Sequence, residues 1–131
     1  MILLDTHALI WWVAGAPKLS ARAKRAIGAA LRGGYVAASA ISLFEIATAL
    51  RRRRLVLEAP AEQWLADLHR LPELRFEPVS AEIAEVAGSF DETFPGDPAD
   101  RIIAATAIAL GLTLVTADAR LRRAPRLQAV W

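Results

Sequence analysis

Two short runs of the chain are apolar almost without a break and then stop on an acid. They are Ile2-Leu3-Leu4 before Asp5, and Leu112-Thr113-Leu114-Val115 before Thr116-Ala117-Asp118. A strand with one face in water alternates polar and apolar residues, whereas these do not, so both of their faces must be covered. Tyr35-Val36-Ala37-Ala38 reads the same way, Phe76-Glu77-Pro78-Val79 is a weaker strand, and Ala129-Val130 is a short candidate fifth. Helical stretches separate them. One runs through Ala8–Val13 until Gly15 and Pro17 break it, and another runs from the N-cap Ser20 to Leu31, closed by Gly33-Gly34. Ser42 opens a helix to about Arg53, Pro60 one to His69, and Ser80 one to about Ala87. Asp97-Pro98 starts a strong helix that Gly111 stops after Leu110. This alternation predicts an α/β fold, a three-layer α/β/α sandwich with a central, mainly parallel sheet. Its 131 residues suit one domain, 1–131. Gly88 to Asp97 lacks periodicity and is the expected mobile loop.

Composition removes several chemistries. The chain has no cysteine, which excludes disulfides, zinc–thiolate sites, iron–sulfur ligation and a Cys nucleophile. At 55% hydrophobic residues it can bury a core. No basic n-region or cleavage site follows Met1, so no signal peptide is expected. The longest uncharged run, Ile102–Ala117, falls short of the ~18–20 apolar residues a membrane span needs. The expectation is a cytoplasmic protein with no membrane contact.

In open parallel sheets, ligands bind beyond the carboxyl ends of the strands. Asp5 and Asp118 directly follow strands, while Glu45 and Asp100 fall in the first turns of helices. All four can therefore converge at one sheet edge. Most also have a purely local explanation. Glu45 completes a capping box with Ser42, Asp100 sits where a helix dipole favours an acid, Asp118 can cap the next helix, and Asp97 is best read as an N-cap. Asp5 is different, because a carboxylate ending a central apolar strand needs a partner. Taken together, four neighbouring carboxylates repel, so some protonate or a cation sits between them. Oxygen-only ligands suit a hard ion, Mg²⁺ with Mn²⁺ as substitute, and such an ion activates water against a phosphodiester.

The segments Leu4-Asp5-Thr6-His7-Ala8-Leu9-Ile10-Trp11-Trp12, Ser39-Ala40-Ile41-Ser42-Leu43-Phe44-Glu45-Ile46-Ala47, Asp97-Pro98-Ala99-Asp100-Arg101-Ile102-Ile103-Ala104-Ala105-Thr106-Ala107 and Leu114-Val115-Thr116-Ala117-Asp118 resemble, in that order, those of PIN-domain ribonucleases. Specifically, the chain looks like the VapC-type toxins of type II toxin–antitoxin modules, and the resemblance covers essentially all of it. It implies a metal-dependent endoribonuclease that leaves a 3′-hydroxyl and a 5′-phosphate, with RNA as substrate, an antitoxin protein as partner and a homodimer as assembly. Carried over residue by residue, Asp5, Glu45, Asp100 and Asp118 become the catalytic acids and metal ligands. Thr6, Thr116 and Asp97 become their supports. The family often has an aromatic residue where Leu121 stands, a departure that bears on local packing.

Fourteen of the 16 basic residues are Arg, and eight of them fall in two runs, Arg51–Arg54 and Arg120, Arg122, Arg123 and Arg126. Some of these serve a helix C-terminus or a solvated face. Arg120, Arg122, Arg123, Arg51 and Arg52 are the candidate RNA contacts, since Arg grips phosphate bidentately. His7 is read as packing or contacting substrate rather than as a general base. Trp11 and Trp12 are adjacent and cannot share a helix face, which predicts one in the core and one exposed. The alternatives are a catalytically silent PIN-like RNA-binding or scaffold domain, or an Asp-dependent phosphatase. The phosphatase pattern Asp-x-Asp is not met by Asp5-Thr6-His7. A receiver-like domain lacks its lysine, since Lys18 and Lys24 are the only two and both come early.

Overall fold

A computed structural model describes residues 1–131. Five strands form one wholly parallel sheet: β1 (Ile2–Leu4), β2 (Val36–Ser39), β3 (Leu74–Glu77), β4 (Thr113–Val115) and β5 (Ala129–Val130). Their spatial order is β3-β2-β1-β4-β5. The chain builds outward from β1 to β3, then crosses back to lay β4 on the other side of β1. The sheet therefore has a switch point between β1 and β4, the place where such folds open a crevice.

Alternate side chains explain why the strands are apolar on both faces. Leu4, Val36, Ala38 and Val115 join a core under α1 (Thr6–Ala14), α2 (Ala21–Arg32), α3 (Ala40–Arg51) and α4 (Ala61–Arg70). Leu3, Ala37 and Leu114 face the opposite core, built with α6 (Pro98–Leu110) and α7 (Ala119–Arg122). Each fully buried Leu or Val contributes about 1.5–3 kcal/mol. Leu121, at the position where an aromatic residue was expected, is itself completely buried in this second core. Helix α5 (Ala81–Ser89) packs on the outside of α6. Five successive residues of α6, Ile103–Ala107, are buried, because its small alanines admit the sheet on one side and α5 on the other.

Several boundaries depart from expectation. Helix α1 begins at Thr6, not Ala8, because the Asp5 side chain accepts the Thr6 N–H and caps it. Helix α3 begins at Ala40, capped by Ser39, so Ser42 lies inside the first turn and the Ser42–Glu45 capping box does not form. Strand β3 starts at Leu74, where it can pair with Val36, and ends before Pro78, which has no N–H for a ladder. Trp11 and Trp12 are both half-buried. The 90–97 segment is tied down rather than loose: the Arg101 guanidinium donates to the carbonyls of Phe90, Asp91 and Phe94, and the Phe90 and Phe94 rings stack 4.0 Å apart.

The end of α3 is unusual. Arg53 sits in the left-handed region at φ 55, with Arg54 N–H bonded back to the Ala49 carbonyl and Arg53 N–H to that of Leu50. That is the helix-ending turn normally given to glycine. Using an arginine there costs about 1 kcal/mol of backbone strain.

Candidate active site

Asp5 leaves the carboxyl end of β1 and is only 3% exposed. Both of its oxygens are occupied. Oδ1 accepts the Thr6 N–H at 2.8 Å, and Oδ2 accepts the Thr116 hydroxyl at 2.6 Å. Thr116, fully buried after β4, also accepts the Asp118 N–H at 3.1 Å. One hydroxyl thus ties the end of β1 to the segment after β4. Thr6, in the first turn of α1, lies 2.8 Å from the Ser42 hydroxyl and donates to Glu45 Oε1 at 2.6 Å. This tertiary use of Ser42 and Glu45 is why neither caps α3.

The N-terminus of α6 brings the next two acids. Asp97 Oδ1 accepts the Asp100 N–H at 2.9 Å, and Asp100 Oδ2 accepts the Asp97 N–H at 3.3 Å, a reciprocal capping box. Ligand atoms of Glu45, Asp97 and Asp100 all lie within 4.8 Å of one another. Asp97 is therefore both the helix cap that its sequence position implies and a member of the carboxylate cluster. The signal that could have found it is the Asp97–Asp100 spacing, since a capping box holds both acids in one turn.

Burial raises the Asp100 carboxyl to about 6, helped by the negative charges of Asp97, Asp5 and Glu45. Glu45 is also raised, by burial first, and by Asp97 and Asp5 against the opposing Thr6 hydrogen bond. Asp5 is felt by both, from a more buried position. Asp118 stands apart from the tight cluster. Partial burial alone would raise its carboxyl, but Arg120 outweighs this through hydrogen bonds and charge, and holds it below the usual range. The Arg120 Nη2 lies 3.3 Å from Asp118 Oδ2. The structure thus gathers Glu45, Asp100 and Asp97, with Asp5 behind them, and gives Asp118 to Arg120.

Gly96 is shaped by this arrangement. Its φ is +100, and a Cβ there would come 2.5 Å from the Asp100 Cβ. Only glycine lets the loop pass this close to the acid. His7 Nε2 accepts the Ala117 N–H at 2.9 Å, so in the neutral ring Nδ1 carries the proton and points at Asp5 Oδ2, 3.6 Å away. Its ring packs on Trp11 and Trp131 at 5.0 and 6.0 Å. With its lone pair already taken, His7 orients its neighbours and is not placed to accept a proton.

Beside the cluster lies a cavity of about 420 Å³, lined by Phe44, Glu45, Arg52, Arg54, Asp97 and Pro98 among others. Of the candidates Arg51 and Arg52, only Arg52 lines it, joined there by Arg54. Arg120 and Arg123 line a separate depression with Thr93 and Pro95, and Arg122 is exposed. Sequence reasoning assigned no role to Phe44 or Arg54. An aromatic residue next to a site acid was the available signal.

An oxygen-only set of closely spaced, mutually repelling carboxylates suits a hard divalent cation. Glu45, Asp97 and Asp100 would hold it, with Asp5 beneath.

The PIN domain profile matches residues 2–127. Ribonuclease VapC22 of Mycobacterium tuberculosis is 42% identical over 132 aligned residues, covering 99% of this chain and 98% of that protein. The fold matches VapBC2 from Rickettsia felis, solved bound to a DNA fragment from its promoter, with TM-score 0.74 at 23% identity, covering 99% and 98% of the two chains. It also matches a toxin–antitoxin complex from Klebsiella pneumoniae, with TM-score 0.68 at 24% identity, covering 100% and 97%. No helix is long and apolar enough to cross a membrane. By its matched length and its near full-length relative, the chain belongs to the PIN domain family.

Proposed function

We propose that this single PIN domain, residues 1–131, is a metal-dependent endoribonuclease that hydrolyses RNA phosphodiester bonds as the toxin of a type II toxin–antitoxin module. The observation that carries this reading is the cluster of Glu45, Asp97 and Asp100, with the Asp100 carboxyl raised to about 6. The 42% identity to Ribonuclease VapC22 over the whole chain supports the activity class, and the fold shared with VapBC2 and the Klebsiella complex supports an antitoxin partner. We assign Asp5, Glu45, Asp100 and Asp118 as the catalytic acids, with Asp97 joining them at the cation. Mg²⁺ is the cation of choice, with Mn²⁺ as substitute, and the toxin works in the cytoplasm as a homodimer.

When bound, the divalent cation supplies neutralisation of the phosphodiester charge and a more acidic water. The chain's own residues do the rest. Thr6 holds Glu45 by Oε1, which leaves Oε2 to hold the cation, directly or through water, and to orient the attacking water. Thr116 holds Asp5 Oδ2 and the Thr6 N–H holds Oδ1, which would keep this buried negative charge fixed near a bound cation. Asp118, held by Arg120, positions water at the far edge of the site.

The test is cleavage of a labelled RNA by wild type and Asp5→Asn, each in Mg²⁺ and in excess EDTA, with circular dichroism as the control for folding. Wild type in Mg²⁺ should cut and leave 5′-phosphate ends, and the other three reactions should be silent. A fully active Asp5→Asn protein, or wild-type cleavage undiminished by EDTA, would end the proposal.

A further inference from the structure

The cavity beside the acids has a composition that the acids do not explain. Phe44 is 67% exposed, one of the few large apolar side chains left in water. It lines the cavity together with Glu45 and Pro98. Arg52 and Arg54 line the same space, and no carboxylate lies within ion-pair distance of either. Two unpaired cations, one flat aromatic face and a carboxylate cluster therefore share about 420 Å³. An apolar ligand would waste the arginines, and a simple anion would waste the aromatic face. A nucleotide uses all three features. Its base stacks on an aromatic ring, its phosphates take the guanidiniums, and the next phosphate reaches the acids through a cation.

The turn after α3 supports the same conclusion. Arg53 adopts the left-handed backbone that glycine normally supplies, and this reversal puts Arg52 and Arg54 on the cavity while Arg51 and Arg53 are not part of its lining. A strained residue is retained where it aims its neighbours at a ligand.

We propose that Phe44, Arg52 and Arg54 form a subsite for one unpaired nucleotide of single-stranded RNA, next to the phosphate at the acidic cluster. The inference rests on the ribonuclease reading for its substrate class and deepens it: substrate is selected for an unstacked base at this position. Duplex RNA, whose bases are stacked on each other, cannot fill the subsite.

Binding is measured by fluorescence anisotropy with a 12-nucleotide single-stranded RNA, in EDTA and in Ca²⁺, so that cleavage is not required. Phe44→Ala should weaken binding about tenfold, as loss of one base–aromatic stack does. Phe44→Trp should restore it and Phe44→Leu should not. An RNA of equal length made of abasic units should bind wild type and Phe44→Ala alike. Arg52→Ala combined with Arg54→Ala should reduce the salt dependence by about 1.4 in log–log slope, at about 0.7 per phosphate contact on a single strand. Arg53→Gly, which keeps the turn, should bind as wild type does.

Four results would overturn the subsite: equal binding by Phe44→Leu and wild type, a Phe44→Ala loss that persists on abasic RNA, no RNA binding by wild type in either buffer, or a change of oligomeric mass in Phe44→Ala, which would make the ring a protein interface. The two readings fail separately. Metal-dependent cleavage indifferent to Phe44 removes the subsite alone, and Phe44-dependent RNA binding without cleavage removes the nuclease alone.

Discussion

Replacing Asp100 with Asn should stabilise the metal-free protein. The carboxyl titrates at about 6, against 3.8 for an unperturbed Asp, because burial and the charges of Asp97, Asp5 and Glu45 disfavour its ionised form. Taken at face value, that difference is about 3 kcal/mol of destabilisation at neutral pH. The group is only half-buried, so solvent screens part of it, and about 1.5 kcal/mol is the working figure. Asn keeps the shape, and its amide oxygen still accepts the Asp97 N–H. It gives up a negative charge in the first turn of α6, a loss of about 0.5 kcal/mol. The net gain is about 1 kcal/mol, or about 4 °C in Tm for a domain of this size. Its pH dependence has a definite sign. Between about pH 4 and 6 the folded protein retains a proton that the unfolded chain releases, so wild-type stability falls as pH rises through that window. Asp100→Asn should show a smaller fall, the part that the raised Glu45 carboxyl still contributes, and its advantage should vanish toward pH 4. Thermal melts in EDTA at pH 4.5 and 7.5 measure both effects. Adding Mn²⁺ should raise the melting temperature of wild type and leave that of Asp100→Asn nearly unchanged. If the variant melts below wild type in EDTA at pH 7.5, the carboxylates do not repel one another and the electrostatic case for a cation collapses.

Two further substitutions test the supports of the site. Thr116→Val removes the donor to buried Asp5 Oδ2 and the acceptor for the Asp118 N–H, and should cost about 2 kcal/mol in a denaturant titration, whereas Thr116→Ser should recover most of it. Gly96→Ala forces a Cβ against Asp100 at a backbone angle only glycine adopts freely; it should cost about 2 kcal/mol and weaken Mn²⁺ binding by calorimetry, and unchanged affinity would show that Asp100 is free to move aside.

Much of this molecule could be read from its letters, for physical reasons. Strands buried on both faces have no polar alternation, so β1, β2 and β4 announce themselves, and the acids after β1 and β4 fall where such sheets open. Helix ends were less legible. Ser39 and Ser42 are equally good caps by type, and the choice fell to Thr6, 36 residues from Ser42 in the chain, which takes the Ser42 hydroxyl. The weaker third strand was misplaced because its register is set by pairing with β2, a partner that no local pattern reveals. The double role of Asp97 and the hold of Arg120 on Asp118 were hidden for a related reason: both acids have sufficient local explanations. The Arg53 turn was invisible because its glycine signature is missing.

The bond from Thr116 to Asp5 spans 111 residues, and β1 pairs with β4 across the same gap. A ribosome adding about 5–20 residues per second takes roughly 6–20 seconds to cover it. Throughout that interval the first strand has been made but its central neighbour has not, and Asp5 has no hydroxyl to hold it. The acidic centre therefore cannot assemble on a nascent chain until almost all of it has been translated. On the nuclease reading proposed above, translation itself sets a delay before the site can act.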